Sequence, residues 1–336
     1  MLRYIVMALA AGMAVLSLAD LALAKVSEAD IKKIAAAVPD KAPATPAKPR
    51  KILIYSHCNG FPHTGAIERA KVALPMIGEK TGAYTAVVSD DLANFEPDKI
   101  NEFDAIVLSN TTGELFQIRG PERPGKPDAK KIKDPADLEK AEAKYKEDLA
   151  KWEEANKEFK SKPQPTARLR KSFMDWVKAG HGVIGIHSAT DCSYGWKEFG
   201  EMIGGYFNGH PWSEKVAIKN DDPTNPINAA FDGKGFEVGD EIYAFRDPYS
   251  RDKQRVLLSL DTPKLKKKGN RKDEDYAVSW IKKHGEGRIF YCSLGHWDQI
   301  FYNPVVLQHY LAGIQWAIGD LKADCTPVPL KTEKSE

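Results

Sequence analysis

Four short apolar runs set the limits on what this chain can fold into: KILIYSH at 51–57, YTAVVSD at 84–90, FDAIVLSN at 103–110 and VIGIH ending at His187. Helix-forming stretches separate them. Thr64 can cap a helix from Gly65 to about Lys80 that lines up Ile67, Ala70, Leu74 and Ile77 on one face, and a second covers about 167–179. Apolar strands alternating with helices predict a parallel sheet covered on both faces. The expected fold is therefore α/β, a doubly wound, flavodoxin-like and mostly parallel sheet. Ligands in such a sheet bind beyond the carboxyl ends of the strands.

The remaining sequence decorates this core. EKVAIK (214–219), DEIYAF (240–245), RVLLSL (255–260), YAVSWI (276–281) and RIFYCSL (288–294) predict a β-rich C-terminal extension, closed by a helix from Pro304 to Ile318 that Asn303 caps. Between the third strand and the helix before the fourth, residues 117–165 read as an inserted charged segment. Its core, 135–160, is a strong helix former with a narrow stripe of Leu138, Tyr145, Leu149, Trp152 and Phe159. That stripe suits a helix lying over its own domain, or a contact with a protein partner or a second copy. Lys264 to Lys272 reads as a solvated basic turn.

The start of the chain predicts export. Arg3 precedes an apolar run, and Ala22, Leu23 and Ala24 form a small-x-small cleavage signature, so residues 1–24 read as a signal peptide. Residues 25–50 are expected to form a short helix and an extended Pro/Ala-rich linker, 51–322 the α/β domain, and 323–336 a mobile tail. With the leader removed, no later segment is apolar enough to span a membrane. A net charge of +2 gives no electrostatic case for nucleic acid. Cys58, Cys192, Cys292 and Cys325 permit disulfides in an exported chain, and the sequence selects no pairing.

The chemistry-bearing residues gather where strands end. His57 closes the first strand, His187 the fourth, and His63, His210 and His296 stand in GFPHTG, NGHPW and SLGHWD. In a parallel sheet His57, His63 and His187 emerge on one edge. Such a cluster suits a divalent, zinc-like metal, acid–base work or hydrogen bonds to a sugar. His63, His210 and His296 are the candidate metal ligands. Asn59, Asp191, Trp212, Tyr243 and Trp297 are the candidates for substrate contact, because aromatic faces flanked by polar groups suit sugar rings. No closely spaced His pair fixes a metal site. GIHSA is not a hydrolase elbow, since His187 takes the central place where that elbow carries serine. Neither GxGxxG nor a phosphate loop follows the first strand, which gives no support for a nucleotide cofactor.

Several ordered pieces (GFPHTGAI, FDAIVLSNTTGE, FMDWVKAGHGVIGIHSATD, GGYFNGHP, NPI followed by DEIY, and GRIFYCSLGHW) together resemble the trehalose-utilisation (ThuA-like) family over about 51–320. That family is similar in fold to class I glutamine amidotransferases. Where those enzymes carry a nucleophilic Cys, this chain has His187, so the resemblance argues against glutaminase chemistry. It implies carbohydrate metabolism, with a sugar or 3-keto-sugar as the small-molecule partner. Isomerisation, elimination or hydrolysis of such a substrate needs a base, for which His187 and Glu241 are the candidates. A non-catalytic carbohydrate-binding protein, or a scaffold acting through 135–160, are the competing expectations.

Overall fold

A computed structural model describes residues 26–330. The expected signal peptide lies outside the described residues, as does the end of the expected tail. In chain order the elements are α1 (Glu28–Ala37), β1 (Lys51–Tyr55), α2 (Thr64–Thr81), β2 (Thr85–Val88), β3 (Ala105–Ser109), α3 (Pro135–Ser161), α4 (Thr166–Lys178), β4 (Gly182–Ile186), α5 (Lys197–Ile203), β5 (Tyr206–Phe207), β6 (Trp212–Asn220), β7 (Phe236–Ile242), β8 (Phe245–Arg246), β9 (Arg255–Leu260), β10 (Ala277–His284), β11 (Gly287–Cys292) and α6 (Pro304–Ala317).

Nine strands form one sheet in the order β2-β1-β3-β4-β11-β10-β9-β6-β7. The first five are parallel neighbours. The order then continues through antiparallel pairs to β7. Within the parallel half, β1, β3, β4 and β11 are buried on both faces, while the edge strand β2 has no buried residue. In β1, Ile52 and Ile54 join the core beneath α1, α2 and α6, while Leu53 and Tyr55 join the core beneath α4 and α5. This two-sided burial explains why these strands are uniformly apolar.

β7 starts four residues before the expected strand at 240–245. Its burial alternates, with Val238, Asp240 and Ile242 inward. One-sided burial at a sheet edge lets the strand carry Glu and Gly, which imitate a turn in sequence.

One expectation is corrected. The extended segment 39–50 is not a linker separate from the domain. Ala44 exchanges two hydrogen bonds with the Gln315 amide, at 2.9 and 2.6 Å, and the Ala47 N–H donates to Asp320 at 3.0 Å. With Val26, Ile34, Ala37 and Val38 in the core, the segment straps α1 onto the domain. The four cysteines, for which the sequence selected no pairing, are unpaired thiols. Burial raises the Cys192 thiol well above its usual pKa, the reverse of what a nucleophile needs.

The helix α3 has no buried side chain. Its stripe packs on its own leader loop. The Trp152 indole N–H donates to the Pro121 carbonyl at 2.9 Å, and Phe159 lies against Gly120.

His309, fully buried in α6, is held between the Ser279 hydroxyl at 2.9 Å and the Ile227 carbonyl at 3.1 Å. Burial depresses its pKa from 6.5 to about 4. As pH falls below the unfolded value, the unfolded chain takes up a proton that the folded ring refuses, so stability is lost on acidification toward the folded value. In urea denaturation, the loss of stability between about pH 6.5 and pH 4.5 should be shallower in His309→Gln than in the unaltered protein.

Candidate functional site

The carboxyl ends of the parallel strands deliver three histidines to one point. β4 ends in His187, which adopts φ +49°, a left-handed conformation uncommon for a residue with a Cβ. The turn after β11 carries His296. The loop from β1 carries His63, the residue before the first turn of α2. Glu241 comes from elsewhere. β6 bonds to β9 only over Ile218–Asn220, while its pairing with β7 runs on to Trp212 and Ile242. The free end of this hairpin carries Glu241 to the histidines.

His187, His63, His296 and Glu241 each offer a ligand atom, and these atoms lie within 4.8 Å of one another. His187 is wholly buried, and its Nδ1 lies 2.7 Å from the Ser293 carbonyl. A carbonyl only accepts, so Nδ1 carries the hydrogen and Nε2 keeps a lone pair. That Nε2 faces Glu241 Oε2 at 3.5 Å and His296 Nδ1 at 3.2 Å, and His296 Nδ1 stands 3.3 Å from the same carboxylate oxygen. His63 meets Ser188 Oγ at 3.3 Å through its Nδ1. Burial, helped by the neighbouring His187 and His296, lowers the His63 pKa to about 3, so the ring is neutral near pH 7. Burial and His187 lower that of His296 as well. Burial opposes ionisation of Glu241; where the surrounding histidines are protonated, the His187 hydrogen bond and the His296, His187 and His210 charges outweigh it and hold the carboxyl below its usual range. Unprotonated, the three imidazoles offer lone pairs beside that carboxylate, a donor set suited to a divalent transition metal.

Asp240 fixes the turn after β11. Its buried carboxylate accepts the backbone N–H groups of Gly295 at 2.6 Å, His296 at 3.3 Å and Trp297 at 2.8 Å. Gly295 is required at that point. Its φ is +135°, and a Cβ there would meet Ile186 Cγ2 at 2.8 Å. In the sequence Asp240 only opens the expected strand at 240–245. The legible signal was its inward register in the alternating strand.

The other expected site residues divide. Tyr243 packs its ring 4.3 Å from that of His187, and Phe207 lies 4.3 Å from Tyr243 on the other side. His210 is half exposed and reaches Glu241 Oε1 at 3.3 Å, so it backs the carboxylate instead of joining the four ligand atoms. Trp297 helps to line a cleft of about 440 Å³ that Phe61, His63 and His296 share. Asp191 bonds the Tyr194 hydroxyl, and burial raises its pKa. Arg246, unforeseen from sequence, lies 4.8 Å over the Tyr194 ring and belongs to the same rim.

Three residues stand apart. Asn59 donates to the Glu114 and Gln117 carbonyls at 2.6 and 2.9 Å, bracing a loop. His57 is occupied with the Gln117 carbonyl at 3.2 Å. Trp212 is buried and shares a sheet face with its register partner Ile242, opposite Glu241. Strand alternation turned it away, which no local feature of NGHPW could reveal.

An α/β sheet with a His/Glu centre at its carboxyl edge defines the class. The chain belongs to the trehalose utilisation family, ThuA, whose profile matches residues 147–317. No curated protein matches it. Among solved structures, a ThuA-like protein from Bacteroides uniformis is 18% identical over 81% of this chain and 94% of its own, with a TM-score of 0.54. One from Parabacteroides merdae is 16% identical over 81% and 91%, with a TM-score of 0.43. The first likeness is one of fold. Among the described residues, no helix is long and apolar enough to cross a membrane.

Asp240→Asn keeps the volume but replaces a carboxylate that takes three N–H bonds by an amide. Loss of charged hydrogen bonds should destabilise the protein by about 2 kcal/mol in urea denaturation. Unchanged stability would mean that the turn is fixed by other contacts.

Proposed function

We propose that the protein is a metal-assisted enzyme of carbohydrate metabolism that acts on a sugar or 3-keto-sugar. His63, His187, Glu241 and His296 would hold a zinc-like divalent ion. One observation carries this reading: the Nδ1–H of His187 is committed to the Ser293 carbonyl, which aims the lone pair of its other nitrogen at Glu241 and His296. Ring orientation by a carbonyl on the far nitrogen is the usual support of a ligating histidine. A bound divalent cation supplies Lewis acidity toward a substrate oxygen.

The residues divide the remaining work. His187, candidate base in the sequence, is better placed as a ligand because it is buried and its Nδ1–H is engaged. Glu241 has two oxygens: Oε2 faces the histidines, and Oε1, backed by His210, would remain able to receive a proton from a carbon next to a keto group. Trp297 and Phe61 would give the substrate ring an apolar wall in the cleft they share with His63 and His296. Asp191 stands on the rim, where a carboxylate suits sugar hydroxyls. The reaction type follows from which proton Glu241 takes. Isomerisation, elimination and hydrolysis share these parts. The 117–165 segment is read as an insertion beside this domain, a reading supported by a helix that buries no side chain.

Metal analysis of the purified full chain tests the reading. About one divalent ion per chain is expected, and His187→Ala should lose it together with more than about 100-fold of turnover on oxidised disaccharides. A metal-free protein that takes up no zinc, manganese or iron at micromolar concentration would overturn the metal. Tight sugar binding without turnover would favour the carbohydrate-binding alternative.

The protein is further proposed to be exported, on the pattern of its first 24 residues. N-terminal sequencing of protein recovered from outside the cytoplasm should then begin at Lys25. A mature chain that retains Met1 would refute cleavage.

A further inference from the structure

The basic loop between β9 and β10 is built, not loose. The Trp212 indole N–H donates to the Lys267 carbonyl at 3.1 Å, Lys267 Nζ to the Pro211 carbonyl at 3.1 Å, and the Arg271 N–H to the Tyr276 hydroxyl at 2.6 Å. The Arg271 guanidinium also donates to the Phe245 carbonyl at 2.7 Å. Gly269 presses so closely on the aromatic pair that a Cβ there would lie 2.0 Å from the Tyr276 hydroxyl and 2.5 Å from Trp212 Cη2. Behind these contacts lies a cavity of about 440 Å³.

The charge around that cavity is one-sided. Lys267, Lys268, Arg271 and Lys272 line it against one carboxylate, Glu274. Arg271 is matched by Asp273, and Lys264 nearby by Asp261. Among the described residues, Lys266, Lys267, Lys268 and Lys272 form no ion pair, although ion pairs are common elsewhere on this surface. In a chain whose net charge is only +2, so many unmatched lysines within seven positions make a local positive potential. A solvated turn needs neither the enclosed volume nor the aromatic floor. Lysine binds phosphate-like groups as a point charge, so lysines without an ion pair beside an aromatic floor suit an oxyanion.

We propose that this pocket binds a dianionic oxyanion group of the phosphate class, carried either by the free ion or by a phosphorylated sugar. It lies beside β6 on the side away from Glu241 and is independent of the metal reading.

Calorimetric titration of the full chain at low ionic strength tests this with inorganic phosphate and with glucose 6-phosphate. Both should bind, and Lys268→Glu with Lys272→Glu should weaken binding by at least about tenfold. The pair Lys268→Arg and Lys272→Arg should stay within about threefold, because charge without fork geometry is what the site uses. A sugar phosphate that binds more tightly than phosphate identifies the phosphorylated sugar as the ligand, and equal affinities identify the free ion. His187→Ala should leave this binding intact even where it abolishes metal uptake, which separates the two proposals. No binding of either probe at millimolar concentration, or binding unaffected by the two glutamates, would overturn the proposal.

Discussion

One hydrogen bond joins the ends of two neighbouring parallel strands, from His187 at the tip of β4 to the Ser293 carbonyl just past β11. It fixes which imidazole nitrogen carries a hydrogen, and so which way the lone pair points. His187 sits at φ +49°, and the Tyr291 hydroxyl secures the same residue by donating to its carbonyl at 2.6 Å. The positions of Glu241 and His296 have chemical meaning only because this ring is held in one tautomer.

The second requirement is that an acid reach a place the parallel strands cannot supply. Their carboxyl ends provide the histidines, while Glu241 sits on a strand at the far end of the sheet order. The antiparallel half solves this with a hairpin that outruns its pairing with β9. Asp240 and Glu241 then act on opposite faces of the same strand. One carboxylate faces inward and locks the turn that carries His296. The next faces the histidines. A strand period of two makes that division of labour automatic.

The sequence displayed the parallel half plainly, because strands buried on both sides have no choice but to be apolar. It displayed the histidines too, since His63, His187 and His296 each follow a recognisable strand or open a helix. What it hid was orientation. Trp212 and Glu241 lie on adjacent strands, and whether either faces the site depends on a register set by long-range pairing. His57 and Asn59 hold loops together from positions that look as exposed to ligand as His63. The bracing role of Asp240 was hidden as well, because a buried acid on an edge strand has the composition of a turn. The strap at 39–50 was misread because its anchors, Gln315 and Asp320, lie about 270 residues further on.

Desolvation favours a ligand at this centre. Glu241 and three imidazoles are withdrawn from water within a few ångströms of each other, and no lysine or arginine forms an ion pair with that carboxylate among the described residues. Burying an anion is costly unless it is paired. Protonating one histidine would supply a partner, but burial drives His63 and His296 toward the neutral form. A divalent cation would satisfy the carboxylate and the imidazole lone pairs together, without forcing a proton into a buried ring. This is why the same constellation, unfavourable as a set of isolated hydrogen bonds, is economical as a coordination site.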